Sequence, residues 1–209
     1  MNRLHRILPS LAAACCLAAA IAGAQTDVAL SAFGAFSGTT NGNGTVQSPS
    51  NAAGGMIELR HIDNPLIGYE GTYSFNRANQ VYRARLTVCP VGAVPPCNSP
   101  PPAPVSADAH EITGDWVVSV KVANLRPFAL AGLGVLLNEP AGNQSSTTSS
   151  AKAVYVYGAG LDWGLVPHIG LRLQYRGNLY KAPDLSRLYT STNAFTHTSE
   201  PMIGAYFRF

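Results

Sequence analysis

The sequence lacks, after residue 24, any hydrophobic run long enough to cross a membrane as a helix. Charge is also scarce, since Asp, Glu, Lys and Arg make up 12% of the residues. Two of the 14 basic residues, Arg3 and Arg6, lie before residue 25, which leaves 12 basic residues against 11 acidic ones and a net charge of +1. This balance gives no electrostatic argument for a nucleic-acid partner. A helical membrane protein is excluded, whereas a barrel of short alternating strands is compatible with these absences.

The N-terminus has the composition of a secretory signal peptide. Basic residues precede an Ala-rich apolar run over residues 7–21, and Ala22-Gly23-Ala24 has the small residues of a cleavage site. The sequence therefore predicts that residues 1–24 are removed and that residues 25–209 form one domain. The adjacent Cys15-Cys16 pair leaves a lipoprotein signal open as an alternative, although the apolar run before it is short.

Only two cysteines follow the signal peptide. Cys89 and Cys97 lie in a Pro-rich segment, residues 89–104. An even pair in an exported chain predicts a disulfide, here one that closes a small loop. A metal site is not favoured, because no His lies near either Cys.

The C-terminal stretch, residues 198–209, alternates with a period of two. One face is apolar and carries Ile203, Ala205, Phe207 and Phe209, whereas the other face is mixed. This pattern predicts a β-strand that continues to the last residue. In lipid such a strand must be fully paired, because no backbone group can stay unsatisfied there.

The rest of the chain predicts seven further strands of similar length. They are residues 27–37, 53–62, a strand that begins at 67, and residues 111–122, 127–137, 152–163 and 169–179. The connections alternate between long and short, and the long ones are residues 38–51, 89–104, 138–150 and 180–197. A β-sandwich has no reason to sort its loops by length, whereas an outer-membrane barrel has long loops outside and short turns inside. The facing of the first and fifth strands stays undecided, because both of their faces are apolar or mixed.

The pattern resembles the OmpA-like family of eight-stranded outer-membrane β-barrels. The most specific pieces are Ala159-Gly-Leu-Asp-Trp163, the strand Leu171-Arg-Leu-Gln-Tyr-Arg176 and the terminal Phe209. The resemblance implies an all-β, transmembrane, antiparallel up-and-down barrel, with Ile203, Ala205, Phe207 and Phe209 as the signal for the barrel-assembly machinery. It does not extend to a peptidoglycan-binding domain.

The strand faces opposite the apolar ones hold most of the predicted site. These residues are Glu58, Arg60, Glu70, Asp115, Lys121, Asp162, Arg172, Gln174, Arg176 and Arg208. The interior of an eight-stranded barrel is just wide enough for side chains, so buried charges there must be paired. Four acidic residues against five basic ones predict a nearly balanced salt-bridge core. A gated ion path through the same network is the alternative.

Outward aromatic residues are expected to mark lipid contact and the interface girdles. They are Tyr69, Tyr73, Trp116, Tyr155, Trp163 and Tyr175. The opposite facing would give a soluble lipocalin-like binder with the aromatics inside. The terminal Phe209 and the sorted loops favour the membrane orientation.

A possible catalytic pair, His197 and Ser199, lies two residues apart and therefore on one strand face. Glu200 points to the other face and cannot orient the His. We therefore expect no enzyme, no cofactor and no metal site, although a lipid A-modifying activity is a remaining alternative. The expected protein is a monomer in the cell outer membrane, in contact with its lipid, whose long loops bind an extracellular ligand that the composition does not identify.

Overall fold

A computed structural model describes residues 25–63, 66–85, 101–142 and 146–209. The regular structure in these ranges is ten β-strands. They are β1 Gln25–Ser37, β2 Thr40–Gly42, β3 Thr45–Pro49, β4 Ala52–Ile62, β5 Ile67–Ala84, β6 Ala103–Ser119, β7 Leu125–Pro140, β8 Ser150–Gly164, β9 Ile169–Lys181 and β10 Phe195–Arg208. Within the described part of the chain, no helix has the length and apolarity needed to span a bilayer.

Eight of the strands form a closed antiparallel barrel. Each long strand pairs with the next long strand along the chain, from β1–β4 through β9–β10. The ring closes where β1 pairs with β10, in a register that runs from Asp27 opposite Arg208 to Ser37 opposite Thr198. The predicted eight-stranded up-and-down barrel is confirmed, and its closure gives each of the eight strands a paired neighbour on both sides.

The first long connection contains a hairpin that the sequence prediction missed. β2 and β3 pair across Asn43 and Gly44, both of which have positive φ, 48° and 75°. An Asn-Gly pair favours this kind of tight turn, because both residues tolerate the left-handed conformation. β3 also pairs with the far end of β5, so the hairpin extends the wall of the barrel at the long-loop end.

The predicted bounds of the 111–122 strand are wrong at both ends. β6 begins at Ala103, inside the segment that was expected to be a Pro-rich loop, and Pro104 pairs with Val81 of β5. Proline is tolerated there because β6 pairs with β7 only from Ala107 onward, which leaves an edge at Pro104. β6 ends early at Ser119, and the following residues turn into β7.

The facing of the two undecided strands follows from their burial. On β1 the odd positions Ala29, Ser31, Phe33 and Ala35 are buried in the barrel, and Leu30 faces outward. β7 buries its even positions, among them Arg126, Phe128 and Leu130. Its glycines make room for neighbours, since a Cβ on Gly132 would lie 2.0 Å from a carboxylate oxygen of Asp115.

Inward-facing side chains therefore occupy most of the barrel interior. One apolar cluster, which includes Val117, Phe128, Leu130 and Val156, lies in the wall of β6, β7 and β8. A second, formed by Tyr82, Val105, Ala107 and Leu185, closes the long-loop end. Between the apolar groups lies a set of buried charges.

Candidate functional site

A charge cluster near the short-turn end is organised around Arg172 on β9. Its guanidinium donates to Asp162 on β8 at 2.7 Å, to Glu58 on β4 at 2.9 Å and to Asp27 on β1 at 2.9 Å. All four side chains are 0–1% exposed. One arginine thus links strands from opposite walls of the barrel, because its planar group carries five donors in a fixed geometry.

Arg60 on β4 completes this cluster. Its Nε donates to Glu70 on β5 at 2.6 Å, and its Nη1 donates to Asp162 at 3.2 Å. The guanidinium carbon lies 4.0 Å from the ring centre of Phe128 on β7, which is a cation–π distance. Buried charge and a buried aromatic face therefore pack as one layer across the lumen.

A second cluster lies further toward the long loops around Arg176 on β9. Its guanidinium donates to Asp115 and Glu111 on β6, each at 3.2 Å, and to Thr113 at 2.7 Å. The other carboxylate oxygen of Glu111 accepts a hydrogen bond from Asn178 Nδ2 at 3.0 Å. Both oxygens of Glu111 are thus engaged.

The lumen is acidic rather than balanced, which corrects the sequence-based count. Seven carboxylates point inward and are buried, namely Asp27, Glu58, Glu70, Glu111, Asp115, Asp162 and Glu200, against four buried arginines, Arg60, Arg126, Arg172 and Arg176. Three of these acids were missed. Glu111 and Glu200 have the same strand parity as Asp115 and Arg208, so strict alternation could have found them, whereas Asp27 lies on the strand whose facing the sequence left undecided.

Two cations expected in the lumen lie instead at the short-turn end. Lys121 is exposed in the turn between β6 and β7, because β6 ends two residues earlier. Arg208 is partly buried near the end of β10, with its guanidinium carbon 5.0 Å from the ring centre of Tyr206. Arg126, which the prediction assigned to a turn, is buried beside them and donates to the Gln25 side chain at 2.6 Å. Gln174 is buried and faces the lumen as expected.

The outer surface of the barrel is a continuous apolar belt. All six predicted girdle residues face outward and are 42–68% exposed, namely Tyr69, Tyr73, Trp116, Tyr155, Trp163 and Tyr175. Ile203, Phe207 and Phe209 of the last strand also face outward, as does Ala205. Leu30, Leu133 and Leu173 are 53–70% exposed at middle heights of the wall. A soluble protein does not expose so much contiguous apolar surface, and the facing is opposite to that of a lipocalin-like binder.

The His197–Ser199 pair lies on this outer face. His197 Nε2 is 2.8 Å from the Tyr157 hydroxyl, and its Nδ1 is 3.5 Å from Ser199 Oγ, too long for an activating hydrogen bond. Glu200 is buried on the lumen side. In the described part of the chain, the pair therefore has no carboxylate to orient the imidazole, as a hydrolase triad requires.

The long-loop end is closed by residues 182–194, which fold back over the barrel. The buried Tyr82 hydroxyl of β5 donates to Pro183 O at 2.8 Å and accepts from the Leu185 amide at 3.1 Å. Gln47 of the β2–β3 hairpin donates to the same Pro183 oxygen at 3.0 Å. Burial raises the pKa of the Tyr82 phenol, so it stays a neutral donor. Residues 182–194 are thus held against the barrel by hydrogen bonds to β5 and to the β2–β3 hairpin.

Basic side chains predominate on this rim. Beyond the apolar belt lie six cations, Arg77, Arg83, Arg85, Lys152, Lys181 and Arg187, against three acids, Asp108, Glu139 and Asp184. Arg77 binds Asp108 with two hydrogen bonds, one of 2.7 Å, which lower the pKa of that carboxyl. The predicted disulfide pair, Cys89 and Cys97, lies outside the described residues.

No family model matches the chain, and no curated protein matches its sequence. Solved structures do match its fold. The fold is that of small outer-membrane β-barrels. Neisserial surface protein A superposes with a TM-score of 0.55 at 15% identity, over 90% of this chain and 100% of that one. OprG of Pseudomonas aeruginosa gives 0.55 at 11% identity, over 88% and 95%. Ail, the attachment invasion locus protein of Yersinia pestis, in complex with the heparin analogue sucrose octasulfate, gives 0.52 at 15% identity, over 89% and 99%.

Proposed function

We propose that this chain is an integral, monomeric outer-membrane barrel of the OmpA-like kind, whose role is structural and whose long loops form an extracellular contact surface. The observation that carries the proposal is the apolar belt around a charged lumen. The apolar belt can contact the hydrocarbon core of a bilayer, and closure of the ring gives the backbone N–H and C=O groups within the belt hydrogen-bond partners. The likeness to small outer-membrane barrels supports the same location.

The test of location is electrophoretic mobility in SDS, with and without boiling, on outer-membrane fractions. A folded membrane barrel resists cold SDS and shifts its band on heating, so we expect a shift in that fraction. A soluble periplasmic protein without a shift would contradict the proposal. The same fractions show whether residues 1–24 are cleaved and whether Cys89 and Cys97 are oxidised, by mass before and after reduction.

The proposed ligand class at the rim is a polyanion such as a sulfated saccharide. Its support is the excess of cations at the rim, six against three, because charge-assisted hydrogen bonds from arginine suit sulfate and phosphate groups. Ail, with the same fold, is found with a sulfated heparin analogue. Among the described residues, Arg83, Arg85 and Arg187 are exposed and have no ion-pair partner.

Heparin binding to the folded barrel in lipid nanodiscs tests this ligand class. We expect the combined variant Arg83→Gln, Arg85→Gln, Arg187→Gln to bind much more weakly and with a smaller dependence on salt. Lys121→Gln removes a cation from the opposite end and is the matched control. Equal binding by both variants would contradict a site at the rim.

Ion conduction is the second function to consider, and the filling of the lumen weighs against it. Arg60, Arg172 and Arg176 are fully buried between carboxylates, and a space of about 30 Å³ between the Arg176 cluster and the rim has room for about two waters. Planar-bilayer recordings would favour this function if they showed a steady conductance that Arg172→Met alters.

A further inference from the structure

The upper part of the lumen contains a small polar cavity between the Arg176 cluster and the rim. Its volume is about 30 Å³, and Glu111, Asn138, Asn178 and Glu200 are among the residues that line it. A space of this size holds one or two water-sized groups. All four side chains are more than nine-tenths buried.

Several polar atoms around this cavity have no hydrogen-bond partner among the described residues. They are Glu200 Oε2, Asn178 Oδ1 and Asn138 Nδ2. Two of the three are acceptors, and they come from neighbouring strands, since Asn178 on β9 pairs with the residue two before Glu200 on β10. Buried polar groups are nearly always satisfied, so these atoms require an occupant of the cavity.

The local charge indicates what that occupant is. When they are ionised, Glu111, Asp115 and Glu200 place three negative charges near the positive charge of Arg176. Arg176 and Asn178 already engage both oxygens of Glu111, which leaves one free carboxylate oxygen on Glu200 and one free amide oxygen on Asn178. A buried charge without a counter-charge is costly, and water alone supplies none.

We infer that this cavity binds a monovalent metal cation, such as Na⁺ or K⁺, through Glu200 Oε2, Asn178 Oδ1 and water. A divalent ion fits less well, because Ca²⁺ takes six to eight oxygen ligands, and only two acceptors of this cavity, Glu200 Oε2 and Asn178 Oδ1, have no partner among the described residues. The described residues also contain no group of three or more His, Cys, Asp or Glu that could hold a metal. The cation adds a positive charge to the acidic lumen and satisfies two acceptors that the protein leaves open.

Unfolding of the detergent-folded barrel in urea tests the inference, with folded protein scored by its cold SDS mobility. Slightly alkaline buffers of equal ionic strength contain NaCl, KCl or choline chloride, because choline is too large for the cavity. We expect a higher midpoint in Na⁺ or K⁺ than in choline. Glu200→Gln should remove this difference, whereas Glu139→Gln, an acid-to-amide change on the outer face of the rim, should retain it.

A second measurement uses only the wild-type protein, so that it stands if Glu200→Gln fails to fold. Crystals soaked in Tl⁺, a heavy substitute for K⁺, should show an anomalous peak in the cavity beside Glu200 and Asn178. Equal midpoints in all three salts without such a peak would overturn the inference. A midpoint that depends on pH through Glu200, but is the same in all three salts, would also overturn the inference. A proton on Glu200, and not a metal cation, would then neutralise the site.

Discussion

Arg172 offers the sharpest test of how the lumen holds the barrel together. Arg172→Met retains much of the side-chain volume but removes the only cation that lies, among the described residues, within hydrogen-bond distance of Asp27 and Glu58. Asp162 keeps a single, longer bond to Arg60, at 3.2 Å. Removing one partner of a buried ion pair costs about 3–5 kcal/mol, because the remaining charges are left without compensation. We expect a loss in that range in the free energy of unfolding.

The assay is urea unfolding of the barrel in lipid vesicles, with the folded fraction read from cold SDS mobility. Arg83→Met makes the same chemical change at an exposed position of the rim, where surface substitutions stay within about 0.5 kcal/mol. An equal effect of the two substitutions would refute the reasoning.

Because acids outnumber arginines in the lumen, removing a carboxylate should lower the free energy of unfolding less than removing an arginine. Glu58→Gln removes one charge from a cluster of four acids and two arginines, so it should cost less than Arg172→Met. In the double variant, Glu58→Gln should recover part of the stability that Arg172→Met loses, because the effects of substitutions within one network of contacts are not additive. If the two costs simply add, the charges do not act as one cluster.

Three further predictions follow from the wall of the barrel. Leu173→Arg, in the middle of the apolar belt, should cost about 2–4 kcal/mol in vesicle unfolding, whereas the same change at Leu188, which is 68% exposed in the loop over the rim, should cost almost nothing. Phe209→Ala should reduce the amount of assembled barrel in outer membranes more than it reduces heparin binding per folded molecule, and normal membrane levels would count against an assembly signal. Gly132→Ala should destabilise the barrel by about 1–3 kcal/mol through overpacking against Asp115, and an unchanged unfolding midpoint would contradict the close packing.

The wall of the barrel could be predicted from the sequence because its two faces obey different rules. Lipid-facing positions must be apolar, so strands such as β9, with Ile169, Leu171 and Leu173 alternating with polar residues, show their orientation directly. The facing of β7 was undecided because its lumen face is itself largely apolar, with Phe128, Leu130 and Gly132. The orientation of a strand can therefore be predicted from the sequence only where its lumen-facing residues are polar.

The rim and the lumen depend on contacts that no single strand contains. Tyr82 and Leu185 meet 103 residues apart, and Arg172 binds Asp27 across 145 residues. Alternation assigns each residue to the lumen face or the outer face of its strand. It does not predict which acids and arginines lie at the same level along the barrel axis and therefore pair. The β2–β3 hairpin was missed for a simpler reason, because its Asn-Gly turn signal lies in a segment whose composition otherwise predicts a loop.

The small net charge of the chain conceals a separation of charge along the barrel axis. The belt excludes charged side chains from the outer wall, so each one must lie in the lumen or beyond the apolar band. The structure places seven acids and four arginines in the lumen and an excess of cations at the rim. Because uncompensated buried charge is costly, the acids of the lumen require arginines, protons or bound cations. The exposed rim cations Arg83, Arg85 and Arg187 are instead available to an anionic partner. The absence of charged side chains from the outer wall therefore accounts both for the candidate cation site in the lumen and for the candidate binding surface at the rim.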